Sequence, residues 1–291
     1  MSTQRPVIGY TLGDQAGIGP EIIAKALERV PADAEYRLIG SRIHAVPGQP
    51  TEATARAALE HLELAAEALR TGSIDAVVTA PVCKEALHRL GFPYPGQTEF
   101  FAARLGVRNF AMCLTGEHLT VALATTHVAL ADVPQRLSVS ELVRVGCLLA
   151  AFKRRTGTPQ PRLAVAGLNP HNGENGAFGD EESRILAPAV AQLRAALPWA
   201  SVHGPCVPDV VYREAAAGRY DAVLAPYHDQ ALIPLKLLDF NSGVNATIGL
   251  PRLRVSPDHG TAFDIAGKGL ANPASTLRAF ELARRSIGNH S

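Results

Sequence analysis

Residues 258–273 spell DHGTAFDIAGKGLANP, a loop with several glycines placed shortly before the end of the chain. The stretch combines two glycine turns with two acidic side chains, Asp258 and Asp264. It ends in Asn272 and a proline, which can occupy the first position of a helix. On its residues alone, this segment is either a ligand-binding loop or a structural loop with an ordinary helix cap.

The chain before this loop alternates short β-branched runs with longer helical patterns, which favours a layered α/β fold. Strands are predicted over residues 6–11, 36–40, 74–79, 110–115, 119–125, 162–167 and 221–225, and residues 246–256 are predicted to be extended. Residues 19–30 are predicted as a loop running into a helix, and helices are predicted over residues 52–71, 137–156, 181–197 and 273–287. The short gap between residues 115 and 119 predicts a hairpin. Residues 42–51 contain two prolines and a glycine and are predicted to form a surface connection.

The composition is typical of a globular enzyme. A chain of 291 residues, 47% hydrophobic and 19% charged, can bury a large core as one domain or as two lobes. The net charge of +1, without basic blocks, argues against nucleic acid or an anionic membrane as partner. No apolar run approaches the roughly 20 residues that span a bilayer, and the first residues lack the apolar core of a secretory signal. Four scattered cysteines favour reduced thiols in a cytoplasmic protein over two disulfides.

Three histidines follow three predicted strands, and in open α/β sheets ligands bind where strands end. They are His127, His171 and His228. Imidazole nitrogens suit zinc, cobalt or nickel, and three of them would leave a position open for chemistry. The alternative is that each histidine is a hydrogen-bonded loop or core residue, since no local ligand spacing connects them.

Two further clusters could bind an anion. Lys236, Asn245 and Arg254 lie near glycine-rich turns, where a lysine, an amide and an arginine can grip a phosphate or carboxylate. Three solvated surface groups are the alternative. Residues 13–21, GDQAGIGPE, form a glycine-rich loop before a helix and could offer backbone N–H groups to an anion. This loop matches neither of the common nucleotide-binding glycine motifs, and a tight structural turn is an equal interpretation.

Residues 258–273 resemble the adenosine-binding loop of the isocitrate and isopropylmalate dehydrogenase superfamily, whose members carry HGSAPDIAGKGIANP. The resemblance implies an α/β fold of two α/β/α lobes with a central cleft. It also implies NAD as cofactor, held by His259, Gly260, Ala262, Asp264 and Asn272. Asp264 is expected to take the adenosine ribose hydroxyls, and its charge would repel the 2′-phosphate of NADP.

Other segments resemble the 4-hydroxythreonine-4-phosphate dehydrogenase (PdxA) family. They are GDQAGIGPE, TAPVCKEAL, GQTEF, TTHVAL, GLNPHNGENG, YHDQALIPLK, GVNATIGLPRLRVSPDHGTA and DIAGKG, in the family's order over almost the whole chain. The resemblance implies an NAD- and divalent-metal-dependent oxidoreductase in pyridoxal phosphate biosynthesis. The reaction implied is oxidation, with decarboxylation, of 4-phosphooxy-L-threonine to 3-amino-1-hydroxyacetone phosphate.

Site residues carried over from the family fall into three groups. The metal ligands would be His127, His171 and His228, holding zinc, cobalt or magnesium. The substrate-binding residues would be Gln97, Thr98, Lys236, Asn245 and Arg254, and the candidates for the general base are Asp209, Asp229 and Lys84. A cytoplasmic homodimer with the metal site near the subunit boundary is expected. We expect a nucleotide-binding lobe over residues 1–80 and 245–291 and a metal, substrate and dimerisation lobe over 81–244.

The chain departs from the family pattern at four places. Gln97 replaces the usual histidine before Thr98, Gln15 replaces a proline, and Val210 replaces a threonine. The connection after Gly40 is also some tens of residues shorter than usual. These departures leave open a catabolic paralogue that oxidises 4-phospho-D-threonate, 4-phospho-D-erythronate or an aromatic dihydrodiol carboxylate. A metal- or nucleotide-binding module without catalysis is the alternative from another class.

Overall fold

The computed structural model describes residues 5–287. Its strands, labelled in chain order, are β1 (Val7–Tyr10), β2 (Glu35–Leu38), β3 (Ala76–Val78), β4 (Ala111–Thr115), β5 (Thr120–Leu123), β6 (Arg162–Ala166), β7 (Ser201–Cys206), β8 (Ala222–Ala225), β9 (Val244–Ile248) and β10 (Leu253–Pro257). Its helices are α1 (Gly19–Leu27), α2 (Glu52–Thr71), α3 (Lys84–Arg89), α4 (Gln97–Arg104), α5 (Val133–Arg136), α6 (Val139–Arg155), α7 (Ala187–Ala196), α8 (Pro208–Ala216), α9 (His228–Asp239) and α10 (Ala274–Arg285).

The chain divides into two compact units. The first contains the residues up to Arg108 together with those from Val244 onward, and the second runs from Asn109 to Gly243. The sequence placed the first boundary near residue 80. Residues 81–108 belong to the first unit because α3 and α4 pack against α2. The functions expected of the two lobes stay predictions.

The first unit has a sheet with strand order β2-β1-β3-β10-β9. β1, β2, β3 and β10 are parallel, and β9 is antiparallel to β10. Strands β1 and β3 are fully buried, as expected of parallel strands that are covered on both faces. On one side, Phe280 of α10 packs edge-on against Tyr10 and Tyr36, with ring centroids 6.1 and 5.5 Å apart.

The second unit has a sheet with strand order β4-β5-β8-β6-β7. β4 and β5 form the predicted antiparallel hairpin, and β5, β8, β6 and β7 are parallel. Helices α8 and α9 bury their apolar faces against β5, β6 and β8 in a core that includes Val121, Val223 and Leu235. Three adjacent parallel strands, β5, β8 and β6, therefore end at the same edge of this sheet.

Helix ends explain why some predicted bounds match the structure. Helix α2 covers residues 52–71 as predicted because Thr51 and Thr54 form a capping box and Gly72, at φ +77°, ends the helix. Ser138 caps α6 by accepting from the Glu141 N–H. The predicted helix over 181–197 begins as a π-helical turn, Glu182–Leu186, before it becomes α7.

The α/β class is confirmed, and the structure corrects several details. The extended stretch over 246–256 is two antiparallel strands, β9 and β10, because Gly249 adopts φ +97° and turns the chain. Strand β7 and helices α3, α4, α8 and α9 had no prediction. All four cysteines are free thiols. Within residues 5–287, every helix is too short or too polar to cross a bilayer.

Candidate functional site

The topology of the second unit gathers the three predicted metal ligands at one sheet edge. His127 lies in the loop after β5, His228 follows β8, and His171 follows β6. These strands are neighbours in the order β5-β8-β6 and run parallel. The loops after β5 and β8 are tied together, since the Thr125 N–H and hydroxyl both donate to the Pro226 carbonyl at 3.1 and 2.8 Å.

Two of the histidines lie side by side. The ring centroids of His127 and His228 are 5.6 Å apart, with an angle of 44° between the planes. Nδ1 of His228 is 2.6 Å from Oδ1 of Asp229, which leaves Nε2 of that ring available to a ligand. A carboxylate behind an imidazole is the arrangement that commonly orients a metal-binding histidine. The donor chemistry of this pair fits a divalent cation of the zinc or cobalt type.

His171 lies in a loop of unusual backbone geometry. Residues 171–175 all have positive φ, and four of the five are not glycine. Glu182 holds the start of this loop, because its Oε1 accepts from the N–H groups of Leu168 and Asn169 at 2.8 and 2.7 Å. A run of left-handed residues is strained, and it persists where the surroundings fix it.

Within the described part of the chain, a three-ligand metal centre is not assembled. Across residues 5–287, no three His, Cys, Asp or Glu side chains lie close enough together to hold a metal ion. His127 and His228 are therefore adjacent, and His171 lies outside the pair. The three-histidine site stays a prediction.

In the first unit, the guanidinium of Arg254 is buried among neutral groups. The residue is 2% exposed, and it donates to Thr79 Oγ1 at 3.0 and 2.8 Å and to Gln97 Oε1 at 2.8 Å. A longer contact of 3.5 Å reaches Thr247 Oγ1. Burial lowers the pKa of Arg254 to about 9, with Glu99 opposing the shift, so the group remains a cation at neutral pH. A buried cation with neutral partners is poised to receive an anion.

The sheet register places Asn245 on the strand beside this cation. Arg254 on β10 is paired with Thr247 on β9, and Asn245 lies two residues before Thr247 on the same face. Thr98 Oγ1 is 3.2 Å from Thr247 Oγ1. The Asn245 Oδ1 atom is buried and has no hydrogen-bond partner among the described residues. The first unit thus brings Gln97, Thr98 and Arg254 into one network, with Asn245 on the adjacent strand.

Lys236 belongs to the second unit. It lies on α9, with its Nζ 5.7 Å from the centroid of the Phe240 ring. The sequence did not single out Thr79 and Thr247, which hold Arg254 in place. The signal available for them was weak, because a threonine in or just after a buried strand is common for reasons of strand propensity alone.

The three candidates for the general base lie in different environments. Lys84 is the first residue of α3 and, like Glu99, lies beside Gly96. Asp229 is 72% exposed and bonded to His228. Asp209 is exposed in the first turn of α8. The pairing of Asp229 with His228 favours an orienting role for that carboxylate.

The predicted cofactor loop, residues 258–273, rests on α1. The Ile18 N–H donates to the Thr261 carbonyl at 2.9 Å, and the Ala271 N–H donates to Glu21 at 3.1 Å. Lys25 donates to the carbonyls of Gly269 and Ala271 at 2.8 and 2.9 Å. An apolar contact among Ile18, Ile22, Ala266 and Ala271 lies beneath the loop. The glycine-rich loop that opens α1 and the predicted cofactor loop therefore form one structure.

Most of the residues expected to contact NAD face solvent. His259, Gly260, Asp264 and Asn272 are exposed, and Ala262 is partly buried with φ +42°. A Cβ atom added at Gly260 would meet nothing within 4 Å, so the space beside it is open. Asn272 Oδ1 accepts from the N–H of Ala274, the first residue of α10, at 3.0 Å. The loop is accessible to solvent, and its role in binding adenosine stays a prediction.

Comparison with known proteins establishes the family. The family model described as pyridoxal phosphate biosynthetic protein PdxA matches residues 17–283. The chain belongs to the PdxA family. It is 42% identical to a 4-hydroxythreonine-4-phosphate dehydrogenase of Desulfosudis oleivorans, over 96% of this chain and 95% of that protein.

Solved structures agree with this assignment. The crystal structure of 4-hydroxythreonine-4-phosphate dehydrogenase from Klebsiella pneumoniae is 39% identical, covers 97% of this chain and 98% of its own, and superposes with a TM-score of 0.83. A terephthalate 1,2-cis-dihydrodiol dehydrogenase from Burkholderia xenovorans is 29% identical, with 96% and 98% covered and a TM-score of 0.71. An isocitrate dehydrogenase from Methylococcus capsulatus, 15% identical over 98% and 86% of the chains, shares the fold with a TM-score of 0.55.

Proposed function

We propose that this chain is an NAD-dependent, divalent-metal-dependent dehydrogenase that oxidises 4-phosphooxy-L-threonine in pyridoxal phosphate biosynthesis. The product, after loss of carbon dioxide, is 3-amino-1-hydroxyacetone phosphate. The observation that carries the proposal is the buried Arg254, bonded to neutral oxygens, in a member of the PdxA family. A buried cation whose direct hydrogen-bond partners are all neutral favours a substrate with an anionic group.

Arg254 and its neighbours bind the anionic end of the substrate. Nε and Nη2 of the guanidinium already donate to Thr79 and Gln97, so Nη1, whose bond to Thr247 is long, is the nitrogen that can donate to a phosphate or carboxylate. Gln97 keeps its oxygen on Arg254, so its Nε2 hydrogens are available to the substrate. Asn245 brings a buried amide to the same face of the sheet. Lys236 would add a second positive charge for the phosphate.

His127 and His228 would hold the divalent metal, with His171 as third ligand. When bound, a zinc, cobalt or magnesium ion would lower the pKa of the substrate alcohol. Asp229 keeps the His228 ring oriented and its Nε2 free. The strained loop of residues 171–175 gives His171 a fixed backbone, and Glu182 anchors its start.

The cofactor loop would bind the adenosine of NAD, with Asp264 at the ribose hydroxyls and His259, Gly260 and Ala262 along the adenine. NAD supplies the hydride acceptor. A base among Asp209, Asp229 and Lys84 would take the proton from the alcohol oxygen. The hydride would leave the carbon that bears this oxygen. The resulting β-keto acid loses carbon dioxide.

We infer a homodimer with the metal site near the subunit boundary. Helix α9, which starts with His228, exposes an apolar stripe of Ile233, Leu237 and Phe240, exposed by 67, 82 and 73%. Contiguous exposed apolar surface marks an interface. A site near the boundary also accounts for His171 lying outside the pair within one chain. The free thiols support a cytoplasmic location.

Turnover with a panel of acids tests the proposal. Metal-loaded protein is incubated with NAD and 4-phosphooxy-L-threonine, 4-phospho-D-threonate, 4-phospho-D-erythronate or a terephthalate dihydrodiol, and NADH is recorded. We expect the highest kcat/KM for 4-phosphooxy-L-threonine. The similarity to the dihydrodiol dehydrogenase makes the dihydrodiol the second candidate. Activity with the dihydrodiol alone would overturn the phosphate assignment, and binding of NAD without any turnover would indicate a binding module.

A further inference from the structure

Gln15 is a buried side chain outside the predicted site, and it clamps the short connection between β2 and α2. The residue is 7% exposed. Its Nε2 donates to the Ser41 carbonyl at 2.9 Å, and its Oε1 accepts from the Ile43 N–H at 3.1 Å. The nitrogen and the oxygen of the Gln15 side-chain amide therefore both hydrogen-bond to the backbone of the connection, residues 41–50.

The clamped connection contacts the cofactor loop. A Cβ atom added at Gly267, where φ is +74°, would lie 2.7 Å from Cβ of Pro47, so the Gly267 backbone packs directly on the Pro47 ring. Gly48 lies beside the Phe263 carbonyl, since a Cβ there would be 3.0 Å from that oxygen. These contacts fall on either side of Asp264, the residue expected at the adenosine ribose.

The glycine-rich loop before α1 joins the other two segments. Ala16 accepts from the Gly48 N–H at 2.8 Å, and the Ile18 N–H donates to the Thr261 carbonyl at 2.9 Å. Each of the three segments, the glycine-rich loop, the connection and the cofactor loop, thus contacts the other two. Val46, at the tip of the connection, is 46% exposed and offers apolar surface beside the cofactor loop.

We propose that the connection, residues 41–50, forms a wall of the adenosine half of the cofactor site and that Gln15 is its positioning residue. The inference rests on the proposed function, in that the cofactor loop binds the adenosine of NAD. Gln15 contacts neither substrate nor cofactor and acts through the connection. Gln15 and the short connection are both departures from the PdxA pattern, and two hydrogen bonds join them.

Gln15→Leu removes both hydrogen bonds at similar volume. We expect the Kd for AMP and the KM for NAD to rise about tenfold, the factor given by about 1.4 kcal/mol, or roughly two net hydrogen bonds. The KM for the hydroxy acid and kcat at saturating NAD stay unchanged. Gln15→Glu keeps the acceptor for Ile43 but places a buried carboxylate oxygen against the Ser41 carbonyl, so a change at least as large as that of Gln15→Leu is expected. Ser138→Ala, which removes the cap of α6, controls for a general loss of stability.

Calorimetry with AMP and amide hydrogen exchange separate the outcomes. In the wild type, AMP is expected to slow exchange at Ile43 and Gly48, and Gln15→Leu abolishes this slowing. Equal AMP affinity in the wild type and Gln15→Leu would overturn the inference while the proposed function stands. If the wild type binds neither AMP nor NAD, the proposed function itself fails. If Gln15→Leu does not fold, amide hydrogen exchange in the wild type tests the proposal. The proposal is overturned if AMP does not slow exchange of the Gly48 N–H.

Discussion

The side-chain oxygen of Gln97 accepts a 2.8 Å hydrogen bond from Nη2 of Arg254. This bond sets the amide so that its oxygen faces the buried guanidinium and its NH₂ group faces away. A neutral amide keeps this arrangement at every pH at which the protein is folded. The chain therefore presents a donor where most PdxA proteins are expected to carry a titratable imidazole.

Gln97→Glu tests whether Arg254 is the anion receptor. The new carboxylate neutralises the buried cation from within, so we expect KM for the phosphorylated substrate to rise about 100-fold, equivalent to about 2.7 kcal/mol. Gln97→Leu loses the hydrogen bond without adding a charge and should raise KM by about tenfold. Steady-state kinetics at saturating NAD give both values. An equal effect of the two variants would contradict the charge argument.

Arg254→Met should separate activity from stability. Removing the anion receptor is expected to lower kcat/KM by about 1,000-fold or more, the effect of losing about 4 kcal/mol. Because an apolar side chain replaces a buried charge that has neutral partners, the melting temperature should not fall. Calorimetry checks the melting temperature. A marked drop would show that Arg254 stabilises the fold and would weaken its assignment to the substrate.

Asp239 should stabilise the second unit in a pH-dependent manner. Its carboxylate accepts from the N–H groups of residues 117–119, from His118 Nδ1 and from Ser242. Burial acts to raise the pKa of Asp239, but these hydrogen bonds outweigh it and hold the pKa below 3.8. A lowered folded-state pKa adds stability above the unfolded-state pKa, and this stability disappears as pH falls through the folded-state value.

Asp239→Asn should lower the free energy of unfolding by about 2–3 kcal/mol at pH 7, the range for breaking a buried charged hydrogen-bond network. The difference from the wild type should narrow below about pH 4, where the unfolded aspartate is protonated. Urea unfolding at pH 7 and pH 3 measures both differences. A gap that is independent of pH would contradict the role of the ionised carboxylate.

Asp229→Asn distinguishes an orienting carboxylate from the general base. If Asp229 orients His228, metal affinity should fall by about 10- to 100-fold, and kcat should recover at saturating metal. Zinc competition with a chromophoric chelator gives the affinity, and turnover at increasing metal gives kcat. A persistent loss of kcat with normal affinity would instead identify Asp229 as the base. Asp209→Asn, on the exposed first turn of α8, is the companion variant.

Leu237→Glu tests the dimer. A charge on the exposed stripe of α9 should shift the protein to monomer and lower activity at least about tenfold, since buried unpaired charges disrupt interfaces. Leu64→Glu is the matched control, because Leu64 is an exposed leucine, 43% exposed, on α2 of the first unit. Sedimentation equilibrium reports the mass. A dimeric Leu237→Glu protein would exclude α9 from the interface.

Local signals made much of the fold predictable from sequence. Helix α2 has a capping threonine and a terminal glycine, and the buried strands β3 and β8 have nearly unbroken apolar runs. Helix α9 lacks such signals. It contains Pro234 and is apolar on both faces, with Leu235 buried and Leu237 exposed, so no amphipathic period marks it.

The residue types of the candidate site were suggested by histidines placed after strands and by the resemblance to the PdxA family, whereas the burial of Arg254 was left open by the sequence. The hydrogen-bond partners of Arg254 were not predictable. Thr79 and Thr247 reach Arg254 through strand register, which brings positions 175 and 7 residues away to one guanidinium. The bonds from Gln15 to Ser41 and Ile43 depend on how a short connection turns back over the first loop. Such tertiary pairings have no local pattern.

The interrupted course of the first unit has a consequence for biosynthesis of the chain. β10 and β9 follow β3 in the strand order, so one side of that sheet is supplied by residues that the ribosome delivers after all of the second unit. The second unit is continuous in sequence and can form its sheet while the first still lacks two strands. The pocket of Arg254 is then among the last parts of the molecule to exist, and a nascent chain stalled before residue 244 holds Thr79 and Gln97 with no guanidinium to bind.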